Sequence, residues 1–436
     1  MPTLQVITLG CSKNTVDTEH LLHQVRGSYE IVPEGEDRPV DVLAINTCGF
    51  IGDAKEQSIN TILAAAGRKN AGLAGRLVVF GCLSQRYPDQ LPGLIPEVDG
   101  WYGARELDSL VKALGCVPDH SEDYLRVRTD RKPYAYLKIS EGCNRRCSYC
   151  AIPFIRGAHK SVPMVKLVDE ARSLAADGVR ELIIIAQDTT YYGLDLYGRR
   201  ALAELLDRLS EVEGIERMRI HYSYPQDFPE DVLDRMANNP KVCRYMDIPL
   251  QHISDKVLDN MHRGVDGAWT RALVQRMRDK VPGLVLRTTF IVGHPGEGPA
   301  EFRELMNFVR ETGFQRMGAF AYSEEEGTFG ADYLKDSVSP RTKKSRLSRL
   351  MELQRGISLA YNQSRIGTVQ KVLVDAFSDG ILICRSEFES PEVDGEILVK
   401  YSATDFDGKQ PESLIGEFLD VRITGADEYD LTAEVL

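Results

Sequence analysis

Short apolar runs alternate along most of this chain with longer stretches in which apolar residues recur every three or four positions. "LQVITLG" (4–10), "VDVLAIN" (40–46) and "RLVVFG" (76–81) are nearly continuous in Val, Ile and Leu. That is the pattern of strands covered on both faces, as in a parallel sheet. "TVDTEHLLHQV" and "DAKEQSINTILAAAG" carry the helical period between them. The βαβ order predicts an N-terminal parallel domain over residues 1–118, with right-handed crossovers.

A polar stretch, "PDHSEDYLRVRTDRKP" (118–133), reads as a linker, and the rhythm then resumes with six candidate strands: 134–140, 180–187, 217–223, 245–251, 284–293 and 315–323. Helical segments such as "MVKLVDEARSLAADG" and "PAEFRELMNFVRETG" separate them. A closed barrel of this kind needs eight units, so six predict a partial (β/α)6 barrel over 133–366, with function at the carboxyl ends of its strands. Residues 340–367 read as an amphipathic helix, apolar at Leu347, Leu350, Met351, Ile357 and Tyr361. Five short strands split by turn residues then fill 367–436, the pattern of a five-stranded antiparallel OB-like barrel. The fold class is α/β.

Composition adds bounds. At 436 residues, 43% hydrophobic and 27% charged, the chain has ample core for about three domains. No apolar run approaches the ~18 residues that would span a bilayer, and the first residues carry no basic-then-apolar export pattern. The expected location is the cytoplasm, away from any membrane, where nine cysteines are better suited to metals or catalysis than to disulfides. The net charge of −12 is concentrated at the end of the chain: residues 368–436 hold five Lys/Arg against sixteen Asp/Glu. Such a module would repel RNA and attract a basic protein.

Six of the cysteines form two sets. Cys11, Cys48 and Cys82 each lie just past a predicted parallel strand, so they should meet at one sheet edge, where open α/β sheets bind ligands. Three small core residues would also be cysteines, but a core role gives no reason for recurrence at three strand ends. The second set, Cys143, Cys147 and Cys150 in "KISEGCNRRCSYCAIPFIRG", sits on one loop after the first strand of the partial barrel. Soft thiolates select zinc or iron–sulfur. Zinc would need a fourth ligand, for which His159 is the nearest candidate, whereas a [4Fe–4S] cluster on three cysteines keeps one iron open.

Cys143-x3-Cys147-x2-Cys150, with Tyr149 before the last cysteine, resembles the signature of radical S-adenosylmethionine (SAM) enzymes. "AQD" (186–188), "IPLQH" (248–252) and "GHPGE" (293–297) resemble that family's cofactor-contacting strand ends. The resemblance implies SAM contacts at Tyr149, Gln187, Asp188, Gln251, Gly293 and Glu297. With the Cys11/Cys48/Cys82 set and a terminal TRAM-like barrel, nearly the whole chain resembles the methylthiotransferases. That implies two [4Fe–4S] clusters, the auxiliary one on Cys11, Cys48 and Cys82 and the SAM-cleaving one on Cys143, Cys147 and Cys150, and a sulfur inserted at an unactivated carbon.

Within that family, "LGCSKNTVDTE", "AQDTTYYGLDLYG", "DIPLQHISDKVLDNMHRG" and "YSEEEGT" resemble the branch that modifies an aspartate β-carbon of small-subunit ribosomal protein S12. The expected partners are S12, docking partly through the acidic barrel, and a protein reductant; no direct tRNA substrate is expected. The same chemistry on a tRNA adenosine and a non-catalytic iron–sulfur carrier are the alternatives. "RTKKSRLSR" (341–349) holds five basic residues in nine and reads as a solvated helix face, although it is the one stretch suited to RNA. Cys116, Cys243 and Cys384 show no partner pattern.

Overall fold

The computed structural model describes residues 1–404, 406 and 408–436. Five parallel strands open the chain: β1 (Thr3–Thr8), β2 (Glu30–Val32), β3 (Val40–Thr47), β4 (Ala74–Gly81) and β5 (Gly100–Gly103), ordered β2-β1-β3-β4-β5. Their side chains alternate between two cores. Leu43, Ile45, Leu77 and Val79 meet Ile62 and Ala66 of the helix Gly52–Asn70. Val42, Ala44, Val78 and Phe80 meet Leu21 and Leu22 of the helix Ser12–Val25 and Leu110 of the helix Leu107–Ala113. Both faces are covered, which is why β3 and β4 read as continuous apolar runs.

The second sheet holds β6 (Tyr134–Lys138), β9 (Glu181–Ile185), β10 (Arg217–Ile220), β11 (Val242–Asp247), β12 (Val285–Val292) and β13 (Arg316–Ala321), all parallel and in chain order. It is the open six-unit barrel expected. A small antiparallel pair, β7 (Ser140–Glu141) with β8 (Lys160–Ser161), brackets the cysteine loop. The helix Pro340–Ser364, capped by Ser339 on the Thr342 amide, lays Leu347, Leu350, Met351 and Ile357 against the barrel core.

Last come β14 (Val369–Ser378), β15 (Ile381–Arg385), β16 (Ile397–Lys400), β17 (Phe418–Ala426) and β18 (Leu431–Val435), a closed barrel ordered β14-β15-β16-β18-β17. The wholly antiparallel ladder expected needs one correction: β16 and β18 run parallel. The chain passes from one to the other through β17, and a five-strand barrel cannot close with alternating directions throughout.

The loop leaving β15 fills the amino end of the six-stranded barrel. Arg219 donates to Glu181 at 2.9 Å and to the carbonyls of Glu387 and Ser386. Arg385 reaches Glu181 at 3.0 Å, and Arg316 and Arg365 both bind Glu389. Burial opposes the charge of Glu181, but Arg385, Arg219 and Arg217 outweigh it and hold the carboxyl down at about 2. These contacts plug much of the floor, while the carboxyl ends of the strands face the cysteine loop. Among the described residues, no helix is long and apolar enough to cross a membrane.

Candidate active site

The Cys143–Cys150 loop is pinned at both ends. Gly142 takes φ +77°, where a Cβ would lie 2.2 Å from the Ala158 carbonyl oxygen, so only glycine fits the turn into it. The Cys143 amide donates to Gly157 O at 3.0 Å and the Ser148 amide to Met261 O at 3.0 Å. Cys147 Sγ lies 3.5 Å from Tyr224 Oη and 3.4 Å from Arg263 Nη1. That buried guanidinium also donates to Tyr149 Oη at 3.2 Å and Pro249 O at 2.6 Å. Burial pushes the Cys143 thiol up to about 11 and the Cys150 thiol further. Binding iron must displace these protons, so assembly of a cluster here releases acid.

Around this loop, four strand ends each present an oxygen that is buried and without a hydrogen-bond partner: Ser140 Oγ past β6, Gln187 Oε1 past β9, Ser223 Oγ past β10 and Gln251 Oε1 past β11. Buried polar atoms are nearly always satisfied, so four orphans at one mouth mark a place where a polar ligand belongs. SAM, with an ammonium, two ribose hydroxyls and an adenine amine, offers donors of the type these oxygens lack. The residues therefore fit the cofactor.

Asp188 is buried, accepts from Arg145 Nε at 2.8 Å and caps the turn 189–191 through Thr190 N. Gln187 Nε2 is held by Glu141 at 2.6 Å, which leaves its oxygen free. Gln251 stands at φ +69°, an uncommon conformation for a residue with a Cβ. Gly293, at φ +75°, donates its amide to Glu297 at 2.8 Å. Glu297 is itself buried between Arg346 at 2.6 Å and His252 at 3.3 Å, so both its oxygens are engaged inside the protein. His159 bonds Ser161 and lies tilted against Tyr191, with the ring centroids 4.7 Å apart. Cys243 and Cys384 are core residues, while Cys116 is half-buried and donates to Leu114 O.

The first three cysteines meet at one edge. A Cβ on Gly10, beside Cys11, would fall 3.2 Å from Cys48 Sγ, and one on Gly49 would strike the Cys82–Leu83 backbone at 2.8–2.9 Å. Asn14 binds the strand ends together: its amide donates to Leu9 O and Thr47 O, and its oxygen lies 3.9 Å from Cys82 Sγ. Burial raises the Cys48 thiol and pushes Cys82 up to about 12. Among the described residues, no three His, Cys, Asp or Glu side chains converge on one ion-sized point. A cluster does not ask for that, because each thiolate binds a different iron.

The two sets share a seam. Cys82 packs against Ala151, the residue after Cys150, and against Ile155. Arg156 is buried there and donates to Cys82 Sγ at 3.2 Å, Asn14 Oδ1 at 2.5 Å, Asp17 at 2.6 Å and Glu141 at 3.2 Å. On the far side, buried Glu325 from "YSEEEGT" accepts from Gly52 N at 3.1 Å, Lys55 at 2.8 Å and Arg86 at 3.0 Å. Lys13, buried, places its ammonium 3.0 Å from the centroid of the Tyr222 ring. Reading the sequence missed Lys13, Asn14 and Arg156. The first two lie in the quoted "LGCSKN", but nothing local marks a side chain whose partner sits on another domain.

Residues 137–309 match the model of the radical SAM superfamily, 366–436 that of the TRAM domain and 3–103 that of an uncharacterized family, UPF0004. A solved radical SAM methyltransferase, TsrM from Kitasatospora setae with cobalamin and a [4Fe–4S] cluster, aligns over 88% of this chain and 81% of its own at a TM-score of 0.56 and 15% identity, a likeness of fold. Fold, domain matches and the cysteine loop define a radical SAM enzyme, which uses SAM and an iron–sulfur cluster. The ribosomal protein uS12 methylthiotransferase RimO of Bacteroides thetaiotaomicron is 48% identical over 99% of this chain and 98% of its own. That of Flavobacterium johnsoniae is 48% identical over 99% and 97%. This chain belongs to the RimO family of radical SAM methylthiotransferases.

Proposed function

We propose that this protein methylthiolates the β-carbon of an aspartate on ribosomal protein uS12, using two [4Fe–4S] clusters and SAM. The carrying observation is the seam on which Cys82 touches Ala151: the two three-cysteine sets lie side by side at the carboxyl end of the barrel. A division into residues 1–118, 133–366 and 367–436 goes with this reading, as do a protein reductant and a cytoplasmic location.

Cys143, Cys147 and Cys150 would hold the SAM-cleaving cluster, and Cys11, Cys48 and Cys82 the auxiliary one. Together these groups supply a 5′-deoxyadenosyl radical and the sulfur to be transferred. The chain's own part is placement. Gln187 and Gln251 offer free oxygens to SAM, Tyr149, next to Cys150, accepts from Arg263, and Gly293 makes the turn after β12 beneath the Lys343 stem. Asp188 and Glu297, already braced by Arg145 and Arg346, keep those strand ends in position. Arg156 and Arg263 set positive charge against Cys82 and Cys147, where thiolates would form. Val16, Ile183 and Ile185 pack as a buried apolar wall between the two domains. Such a wall suits the chemistry, because removing hydrogen from an unactivated carbon needs no acid or base but does need protection from quenching.

The test is a mass spectrum. Reconstituted anaerobically with SAM and a reductant, the enzyme should add a methylthio group to an aspartate of uS12. A gain on tRNA alone would move the substrate to nucleic acid. Absence of 5′-deoxyadenosine would leave only a cluster carrier.

A further inference from the structure

Apart from Arg346, one basic groove plays no part in the site described so far. The helix Pro299–Thr312 and the first turns of the helix Pro340–Ser364 enclose about 630 Å³ lined by Arg303, Arg310, Arg341, Arg346 and Arg349. Lys344 stands exposed beside it. Arg303, Arg310, Arg341, Lys344 and Arg349 are exposed and form no ion pair among the described residues. In a chain of net charge −12, four cations lining one groove without a carboxylate partner among the described residues, with Lys344 beside them, stand apart. They are also partly held in place. Arg349 lies 5.1 Å over the Phe302 ring, and Arg310 bonds Asn307 Oδ1 at 3.0 Å. Preorganised cations lose less side-chain freedom when a ligand arrives.

The groove runs up to the mouth of the barrel. Lys343, on the same helix turn, packs its stem over Gly293, and Arg346 clasps Glu297; both contacted residues follow β12 directly. A polyanion in the groove would therefore lie beside whatever enters the active site.

We propose that this groove binds the phosphodiester backbone of RNA, so that the enzyme engages uS12 while that protein is held on ribosomal RNA. The inference rests on the uS12 reading above. Phosphate contacts from unpaired Arg and Lys give affinity without reading sequence, which is what a docking platform needs. The division of charge agrees: the acidic terminal barrel suits a basic protein, and this face suits the RNA that carries it.

The experiment uses the cluster-loaded enzyme and a fluorescent RNA hairpin, with binding followed by anisotropy across a salt series. Arg303→Gln, Arg341→Gln and Lys344→Gln, combined, should weaken binding at least tenfold. They should also flatten the slope of log Kd against log salt by about two to three, near 0.7–0.9 per lost phosphate contact. The charge-preserving pair Arg341→Lys with Lys344→Arg should bind as the wild type does. Equal binding by wild type and triple variant overturns the proposal, and so does no binding by the wild type. Equally tight capture of phosphatidylserine vesicles overturns it as well, since the groove would then be a general polyanion site. Modification of free uS12, scored in the same preparations, should be unchanged by the triple variant. If the wild type leaves uS12 unmodified, the substrate assignment fails while the RNA titration still reads the groove.

Discussion

Lys13 carries a buried charge with no carboxylate partner among the described residues, only the face of Tyr222. A desolvated cation–π contact is worth about 2 kcal/mol, less than the several kcal/mol that burying an ammonium costs. Lys13→Met should therefore leave the melting temperature unchanged or raise it. Product formation on uS12 should nevertheless fall more than tenfold, with 5′-deoxyadenosine still released, because this cation sits two residues from Cys11 and joins that end of the N-terminal sheet to Tyr222, just past β10. A parallel loss of thermal stability would make it a packing residue. The cysteines separate in the same assay. Cys150→Ala should abolish 5′-deoxyadenosine, whereas Cys48→Ala should spare it and stop sulfur transfer, each losing roughly half of the bound iron. The cysteines were legible because their spacing is local, either within one loop or at successive strand ends. Arg156 was not, because its meaning comes from Cys82, Asn14 and Asp17, more than a hundred residues away for the last two.

Among elements, the stretch 118–133, read as a linker, also acts as a strap. Arg126, nearly fully buried, bridges Glu19 at 3.1 Å on the first helix and Glu170 at 3.2 Å on the helix Met164–Ala176. Burial raises the Glu170 carboxyl to about 7 although Arg126 pulls it down, and Glu19 is raised for the same reason. Arg126→Met would strand two buried carboxylates and should cost about 3–5 kcal/mol. The sign of its pH dependence follows. A carboxyl raised in the folded state holds its proton there more tightly than in the unfolded chain, so its penalty grows as pH rises from about 4.5 through about 7 and disappears in acid. The gap in melting temperature between wild type and variant should be wide at pH 8 and narrow at pH 5; a constant gap would mean that the charges are not the cause. The long apolar strands and helices were readable from period alone. The edge strands β2 and β5 were not, since three or four residues carry no usable period, and the parallel β16–β18 ladder depends on closure of the barrel.

For the whole molecule, the net charge of the acidic terminal barrel conceals two kinds of carboxylate. Part of the acid is neutralised within the protein: Asp375 pairs with Arg385 and Glu389 with Arg365 and Arg316 in the interior, while Glu387 pairs with Arg244 and Glu392 with Lys132 nearer the surface. Composition cannot reveal this, because a buried carboxylate and a solvated one count alike. Others, Glu412, Glu417 and Asp420 among them, are exposed and without ion pairs among the described residues. The two groups should respond oppositely to neutralisation. Glu389→Ala leaves Arg316 and Arg365 buried without a counterion and should cost about 3–5 kcal/mol, seen as a lower melting temperature. Glu412→Gln, Glu417→Gln and Asp420→Asn, combined, should leave the melting temperature within a degree or two, since unpaired surface charges contribute little. If the barrel docks the basic substrate, that triple variant should raise KM for uS12 several-fold at low salt with kcat unchanged, and the difference should shrink as added salt screens the attraction. An unchanged KM would place the docking of uS12 on another face and leave the terminal barrel as the plug that closes the amino end of the catalytic sheet.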